Sequence, residues 1–180
     1  MNTANKLTLF RVAMIPVLLV VLYWGFKYNS YVAAAIFVIA SLTDWLDGHI
    51  ARTRGQVTDF GKFMDPLADK VLVFAAMLWF TQQQIMPGWV TLIVLMREFA
   101  VTALRLIAVS NGRVIAAAWS GKVKTAVSMV CLTLLFVVGE LPVEFHTWAK
   151  WSAVTLILVT TVFSGIEYFI KNKDVLNFRS

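Results

Sequence analysis

Long apolar stretches alternate with short polar ones along the whole chain. A helix needs about 20 mainly apolar residues to cross the hydrocarbon core of a bilayer. The polar breaks carry turn-forming residues, such as Asn29-Ser30 and Pro87-Gly88. The pattern predicts six transmembrane helices, at residues 10 to 27, 31 to 52, 61 to 81, 88 to 108, 116 to 138 and 148 to 170.

The composition agrees with a membrane protein. Hydrophobic residues make up 59% of the 180 residues and charged residues 14%, whereas soluble domains are only about half apolar. The first apolar run ends in no small-residue cleavage site, so we expect it to be retained as a helix and not removed as a signal peptide. We therefore expect an all-α integral membrane protein with one membrane-embedded domain, residues 1–180. The single cysteine, Cys131, excludes an internal disulfide.

The basic residues predict the orientation of these helices. If the N-terminus is cytoplasmic, all of the 16 basic residues except Lys27 and Lys150 lie on the cytoplasmic side or in the inner half of a helix, with Arg97 near mid-span. Cytoplasmic loops of membrane proteins carry an excess of Lys and Arg. Both termini are therefore predicted to face the cytoplasm.

Aspartates interrupt the second and third apolar stretches. The purely apolar part of the second, residues 31 to 42, would rise only about 18 Å as a helix, which is too short to cross a bilayer. The helix is therefore expected to continue through Asp44 and Asp47, and the third helix to begin near Gly61 and include Asp65 and Asp69. Charged groups at such depth are costly and usually functional.

Residues three and four positions apart share one face of a helix. Two stripes result, which can face each other: Asp44, Asp47, Gly48 and Ala51 on one helix, and Gly61, Asp65 and Asp69 on the other. Carboxylates without His or Cys suit Mg²⁺ or Mn²⁺ and not zinc, and four of them suffice for two ions. The small residues either admit a bulky ligand or pack helices together, and both interpretations stay open. Arg52 suits phosphate oxygens, so the set indicates a pyrophosphate ligand.

This stretch resembles the CDP-alcohol phosphatidyltransferase family. The family signature, D-x2-D-G-x2-A-R-x8-G-x3-D-x3-D, is matched at every position by Asp44, Asp47, Gly48, Ala51, Arg52, Gly61, Asp65 and Asp69. The opening Asn5-x2-Thr8-x2-Arg11 resembles the start of many members, although Ala4 replaces a proline often found there. The resemblance implies a six-helix fold, a homodimer, and an active site facing the cytoplasm from the bacterial inner membrane.

The resemblance also implies a role for each motif residue. Asp44, Asp47 and Asp65 would be metal ligands, and Asp69 would be the general base and also touch a metal. The residues expected to contact the CDP-lipid are Asn5, Thr8, Asp47, Gly48, Ala51, Arg52 and Gly61. The implied reaction uses two Mg²⁺ or Mn²⁺ ions and moves the phosphatidyl group of CDP-diacylglycerol to an acceptor hydroxyl, releasing CMP.

Later motifs point to the acceptor. R-E-x6-R from Arg97, the segment SGKVKT and the segment DPLADKVL resemble the branch of the family whose acceptor is sn-glycerol 3-phosphate and whose product is phosphatidylglycerophosphate. The predicted ligands of the acceptor phosphate are Arg105, Arg113, Lys122 and Lys124. Arg113 could equally be a basic residue at the lipid headgroups, whereas the flanking Ser120, Gly121 and Thr125 favour a functional role for Lys122 and Lys124. We expect Arg97 to pair with a residue of another helix and not with its neighbour Glu98, which points to a different face.

The sequence leaves two alternative functions open. The first is another acceptor within the family, such as serine, an inositol phosphate or a second lipid. The second is a divalent-cation transporter, which the apolar outer halves of the second and third helices disfavour because a conduit needs polar groups along its full length. The expected partners are CDP-diacylglycerol, sn-glycerol 3-phosphate, membrane lipids and a second copy of the chain, with no nucleic acid.

Overall fold

A computed structural model describes residues 3–53, 59–116, 118–138 and 143–175, with side chains described for 7–43, 64, 67–116, 118–138 and 146–175. These residues form six α-helices and one short 3-10 helix, η1. The helices are α1 (Thr3–Trp24), α2 (Asn29–Thr53), α3 (Asp59–Gln82), α4 (Gly88–Ser110), α5 (Trp119–Val138), α6 (Val143–Lys171) and η1 (Lys173–Val175).

Each predicted span corresponds to one of these helices, but four boundaries were wrong by three residues or more. Helix α1 begins at Thr3 and not at 10. Helix α1 ends at Trp24 and not at 27, because Gly25 and Tyr28 adopt positive φ angles of 66° and 73° that a helix does not accept. Helix α5 begins at Trp119 and not at 116, and α6 begins at Val143 and not at 148. An apolar run shows where lipid contact is favourable, but helical hydrogen bonding starts and stops independently of it.

Within the described residues, three helices contain segments that are long and apolar enough to cross a membrane: Leu7–Trp24, Trp119–Val138 and His146–Lys171. The apolar part of α2, Asn29–Thr43, is shorter, as the sequence predicts. Helix α4 carries Arg97, Glu98 and Arg105 within an otherwise apolar sequence. These long apolar segments support a membrane protein. The six-span topology with cytoplasmic termini stays a prediction.

A cluster of aromatic side chains packs α2, α3 and α5 together. Phe136 of α5 contacts three other rings, with centroids 4.5 Å from Phe80, 5.8 Å from Phe37 and 5.9 Å from Trp79. Ring pairs at such distances contribute beyond the area that they bury. Cys131, buried nearby and free, belongs to the same core. This packing joins α2, α3 and α5 and so sets the distances between the helices that carry the predicted site.

A second, smaller core lies where α4 and α6 end. It consists of Val101, Leu104, Ala108, Tyr168 and Val175, so that η1 folds back onto α4. The backbone of α4 ends in a turn in which Asn111 and Arg113 both donate to the carbonyl of Ala108, and Gly112 supplies the positive φ of 72° that this turn requires. This core holds the basic end of α4 against the end of α6.

Candidate active site

The backbone of the signature motif is helical on both sides of residues 54–58. Helix α2 continues through the first two aspartates to Thr53, and α3 begins at Asp59, so the predicted continuation of both helices is confirmed. The motif residues whose side chains lie outside the described part are Asp44, Asp47, Gly48, Ala51, Arg52, Gly61 and Asp65, together with Asn5. Their roles in binding metal and the CDP-lipid stay predictions.

The opening Asn-Thr-Arg pattern lies in the first turns of α1, beside the start of the motif. Thr8 and Arg11, one turn apart, are both buried, with exposed fractions of 1% and 0%. The Arg11 Nε donates to the backbone carbonyl of Ala40, 3.3 Å away, one helical turn before Asp44. A fully buried arginine is rare and requires partners, so this contact ties α1 to the motif end of α2.

Asp69 lines a small cavity between α3, α4 and α5. Its polar walls come from Asp69 and Lys70 of α3, Glu98 of α4, and Lys124 and Ser128 of α5. Val73, Phe74, Val94 and Thr125 complete the lining. The cavity volume of about 30 Å³ has room for one or two water molecules. The tertiary structure thus brings the predicted base, Asp69, and one predicted acceptor ligand, Lys124, to the same cavity.

A buried ion-pair network forms one wall of this cavity. The Nζ of Lys124 lies 2.5 Å from the Oε1 of Glu98, and the Nη1 of Arg97 lies 2.9 Å from the same oxygen. The side chains of Lys124, Arg97 and Glu98 are only 5%, 12% and 16% exposed. Buried charges persist only when they are paired and hydrogen-bonded, and here one carboxylate serves two cations.

The expectation that Glu98 would not pair with Arg97 was wrong. Adjacent residues leave a helix in different directions, but the arginine side chain is long enough to curve back over its own helix to the neighbouring carboxylate. The expectation that Arg97 would pair with another helix was also wrong in the described part of the chain, where its ion pair is with Glu98 of its own helix. The ion pair between helices is that of Glu98 with Lys124 of α5.

Two glycines make room for Arg97. A Cβ atom on Gly165 of α6 would lie 3.2 Å from the Arg97 Cγ, and one on Gly121 of α5 would lie 3.6 Å from its Nη2. The first distance is tighter than ordinary van der Waals contact and the second is not. Gly165 thus accommodates the stem of the side chain, while Gly121 lies beside the guanidinium group.

Gly165→Ala is therefore expected to be less stable than Gly121→Ala by about 1–3 kcal/mol, the usual cost of overpacking a well-packed position. The Arg97 Cγ has little freedom to move because its guanidinium group is bound to Glu98. The gain in helix propensity from glycine to alanine is larger for Gly165, in the interior of α6, than for Gly121, in the first turn of α5, and so reduces the expected difference. Thermal unfolding in detergent tests this, and equal midpoints for the two variants would contradict it.

The other predicted acceptor ligands lie elsewhere. The Nε of Arg105 donates to the Tyr168 hydroxyl, 2.8 Å away, and its guanidinium lies 5.3 Å from the centre of that ring. Arg113 forms an exposed ion pair with Asp174 in η1, and its hydrogen bond holds the pKa of the Asp174 carboxyl below the ordinary value. Lys122 is exposed. Of the four predicted acceptor ligands, only Lys124 lines the Asp69 cavity.

Sequence reasoning did not assign Glu98, Lys70 or Ser128 to the site. Lys70 donates from α3 to the Thr102 hydroxyl, 2.7 Å away, and Thr102 in turn donates to the Glu98 carbonyl, so α3 and α4 are linked at the cavity. The signal for Glu98 was its position, since an acidic residue at mid-span requires a cation on a facing helix. Lys70 directly follows Asp69, and nothing in the sequence distinguished Ser128.

Comparison with known proteins decides the family. Residues 1–164 match the sequence profile of the CDP-alcohol phosphatidyltransferases. The chain belongs to this family. It is accordingly an enzyme, and the aspartate motif on α2 and α3 is the family's own signature.

Relatives from several bacteria are similar over nearly their full lengths. One from Bacillus subtilis is 41% identical, with 97% of each chain covered, and is named CDP-diacylglycerol–glycerol-3-phosphate 3-phosphatidyltransferase. Relatives with the same name from Salmonella typhimurium and Escherichia coli are 40% and 38% identical, each covering 93% of this chain and 92% of the relative. The aligned part therefore spans nearly the whole of this chain.

The four predicted metal ligands are all aspartates. Among the described side chains, no group of three or more His, Cys, Asp or Glu is placed to hold a metal ion. Three of the four predicted ligands, Asp44, Asp47 and Asp65, lie outside those side chains. On the helical backbone of α2 and α3 the four aspartates fall three and four residues apart, a carboxylate-only set that fits Mg²⁺ or Mn²⁺.

Proposed function

We propose that this enzyme transfers the phosphatidyl group of CDP-diacylglycerol to sn-glycerol 3-phosphate, giving phosphatidylglycerophosphate and CMP in anionic phospholipid synthesis. The observation that carries the proposal is the near-full-length similarity to relatives named for this reaction. The cavity supports it, because a carboxylate that can accept a proton, Asp69, and a cation that can bind a phosphate, Lys124, line the same space. A charged acceptor needs such a cation, whereas an uncharged one does not.

The nucleotide end of the lipid substrate is proposed to lie over the motif. Asp44, Asp47, Asp65 and Asp69 would hold two Mg²⁺ or Mn²⁺ ions, which supply positive charge to the diphosphate. The residues proposed to contact the CDP-lipid are Asn5, Thr8, Asp47, Gly48, Ala51, Arg52 and Gly61. Buried Thr8 and the Arg11 contact with α2 support a close approach of the first turns of α1 to this site.

The proposed chemistry at the acceptor end begins with Asp69. Its carboxylate accepts the proton of the acceptor hydroxyl, whose oxygen forms a bond to the phosphorus that carries the diacylglycerol. The bond from that phosphorus to the bridging oxygen of CMP breaks, and CMP leaves with the electron pair. Lys124 binds the phosphate of the acceptor and so places the hydroxyl near the base.

The proposed setting is the bacterial inner membrane. The chain would form one domain with six spans, both termini and the active site in the cytoplasm, and it would act as a homodimer. The bacterial relatives, the apolar segments of α1, α5 and α6, and the distribution of basic residues support this arrangement.

An acceptor screen tests the proposed function. Purified protein with CDP-diacylglycerol and Mg²⁺ is offered glycerol 3-phosphate, serine, inositol phosphate or phosphatidylglycerol, and CMP release is followed. We expect release with glycerol 3-phosphate alone. Release with serine or inositol phosphate, and none with glycerol 3-phosphate, would overturn the proposed acceptor but not the family.

Lys124→Met is expected to raise the KM for glycerol 3-phosphate by about tenfold or more, since a hydrogen bond to a charged group is worth about 1.5–3 kcal/mol. Methionine keeps most of the volume of the buried side chain, and Arg97 still neutralises Glu98. The KM for CDP-diacylglycerol should stay within about twofold. The matched control is Lys171→Met, which removes a lysine from an ion pair with Glu167 on the surface of α6.

Equal increases in both KM values for Lys124→Met would contradict the acceptor role and indicate general damage to the site. An effect of the same size for Lys171→Met would point to a long-range effect of charge and not to binding at the cavity.

A further inference from the structure

We propose that Glu98 is a positioning residue for the acceptor: it holds the Lys124 ammonium at the cavity that Asp69 lines and acts on the reaction only through that lysine. The inference rests on the proposed function and adds to it a residue on α4, outside the signature motif. Glu98 does not need to contact either substrate for this role.

Lys124 requires an anchor because of where it lies. The Lys124 side chain has four rotatable bonds and lies in a buried region beside α5, where the residue is only 4% exposed. Fixing such a side chain in one conformation costs about 1.5–2 kcal/mol of conformational entropy. A buried ammonium group without a partner would adopt whatever conformation returned it to water. The Glu98 Oε1, 2.5 Å from the Lys124 Nζ, prevents this.

Glu98 itself is held in place from three sides. Arg97 binds the same carboxylate oxygen, and Arg97 is confined between Gly121 of α5 and Gly165 of α6. The backbone carbonyl of Glu98 accepts a hydrogen bond from Thr102, which Lys70 of α3 binds in turn. The carboxylate is therefore bound by side chains of α4 and α5, and the backbone of Glu98 is linked to α3 through Thr102. These contacts suit it to orient a flexible cation.

The network also carries the charge that an anionic acceptor needs. One carboxylate shared by two cations leaves a net positive charge in the wall of the cavity. Lys124 has three donor hydrogens and Glu98 accepts one, so others remain for a phosphate oxygen. The Ser128 hydroxyl, 2% exposed and without a hydrogen-bond partner in the described part of the chain, lines the same cavity. A buried hydroxyl of this kind favours a polar ligand there.

Steady-state kinetics on the full-length enzyme test the role of Glu98. Glu98→Gln is expected to raise the KM for glycerol 3-phosphate by about tenfold, the lower end of the effect of residues that orient a binding side chain, and to leave the KM for CDP-diacylglycerol within about twofold. Glu98→Asp keeps the charge and should give an intermediate KM. The matched control, Glu167→Gln, removes the same carboxylate from the ion pair with Lys171 on α6 and should change neither KM.

The double variant Glu98→Gln/Lys124→Met separates positioning from direct binding. If Glu98 acts only through Lys124, the double variant has the same KM for glycerol 3-phosphate as Lys124→Met alone, because neighbours in one network are not additive. Multiplied effects would overturn the inference. An unchanged or lowered KM in Glu98→Gln would also overturn it, and a lowered value would mean that the carboxylate competes with the acceptor phosphate.

Two further outcomes distinguish a failure of this inference from a failure of the variant to fold and from a failure of the proposed function. If Glu98→Gln does not fold, as judged by thermal unfolding, Glu98→Asp decides: an unchanged KM for glycerol 3-phosphate overturns the inference, and a raised one supports it. If the wild-type enzyme releases no CMP with glycerol 3-phosphate, the proposed function fails and the inference fails with it. Wild-type activity together with an unaffected Glu98→Gln variant overturns the inference alone.

Discussion

Asp69→Asn is expected to lower the rate of CMP release by about a hundred- to ten-thousandfold, the usual contribution of a positioned general base. Asparagine has nearly the same shape but cannot accept the proton of the acceptor hydroxyl. The variant should stay folded and still bind the CDP-lipid with Mg²⁺, because asparagine keeps the volume of the side chain and Lys124 keeps its ion pair with Glu98. The measurement is CMP release at saturating concentrations of both substrates.

The control for this variant is Glu167→Gln, which exchanges a carboxylate for an amide on the surface of α6, away from the cavity. A rate of turnover in Asp69→Asn that equals the wild-type rate would remove Asp69 from the role of base. Loss of lipid binding together with turnover would instead assign Asp69 to the metal alone.

Removal of divalent metal by EDTA is expected to reduce CMP release by about a thousandfold or more, since electrostatic stabilisation of this kind is usually the largest contribution to catalysis. Without a metal, the four aspartates of α2 and α3 repel one another and repel the diphosphate of the substrate. Excess Mg²⁺ or Mn²⁺ should restore the activity. A second readout, thermal stabilisation of the protein by CDP-diacylglycerol, should also require the metal.

The control for the chelator is EDTA saturated with Mg²⁺ before it is added, which should have no effect. Full activity after dialysis against chelator would contradict the metal requirement. If Asp65→Asn keeps wild-type metal dependence, the assignment of that aspartate as a ligand is wrong.

Much of the fold could be predicted because lipid imposes a simple rule on the sequence. The six helices follow from apolar runs of suitable length, and the continuation of α2 through its aspartates follows from an apolar part that is too short. The wrong boundaries, such as the end of α1 at Trp24, lie where the backbone conformation, and not the apolar pattern, determines where a helix ends. The positive φ of Gly25 is one such local backbone conformation.

The acceptor residues were the least predictable part of the site. Arg105, Arg113, Lys122 and Lys124 all have the same charge and lie near the same predicted membrane surface, and the residues around Lys122 and Lys124 favoured both lysines without separating them. The structure separates them by their partners: Arg105 binds Tyr168, Arg113 binds Asp174, and Lys124 binds Glu98 at the cavity. Only the last lies beside Asp69.

The sequence by itself determined the helical stripes of aspartates and their oxygen-only chemistry, because spacings of three and four residues place side chains on one helical face in any fold. Only the tertiary structure decided that Glu98 of α4 meets Lys124 of α5, 26 residues away, beside the cavity of Asp69. A buried charge pairs with an opposite charge on a helix that lies within reach in the folded bundle. The packing of α4 against α3 and α6, and the space that Gly121 and Gly165 leave beside Arg97, bring Glu98 within reach of Lys124.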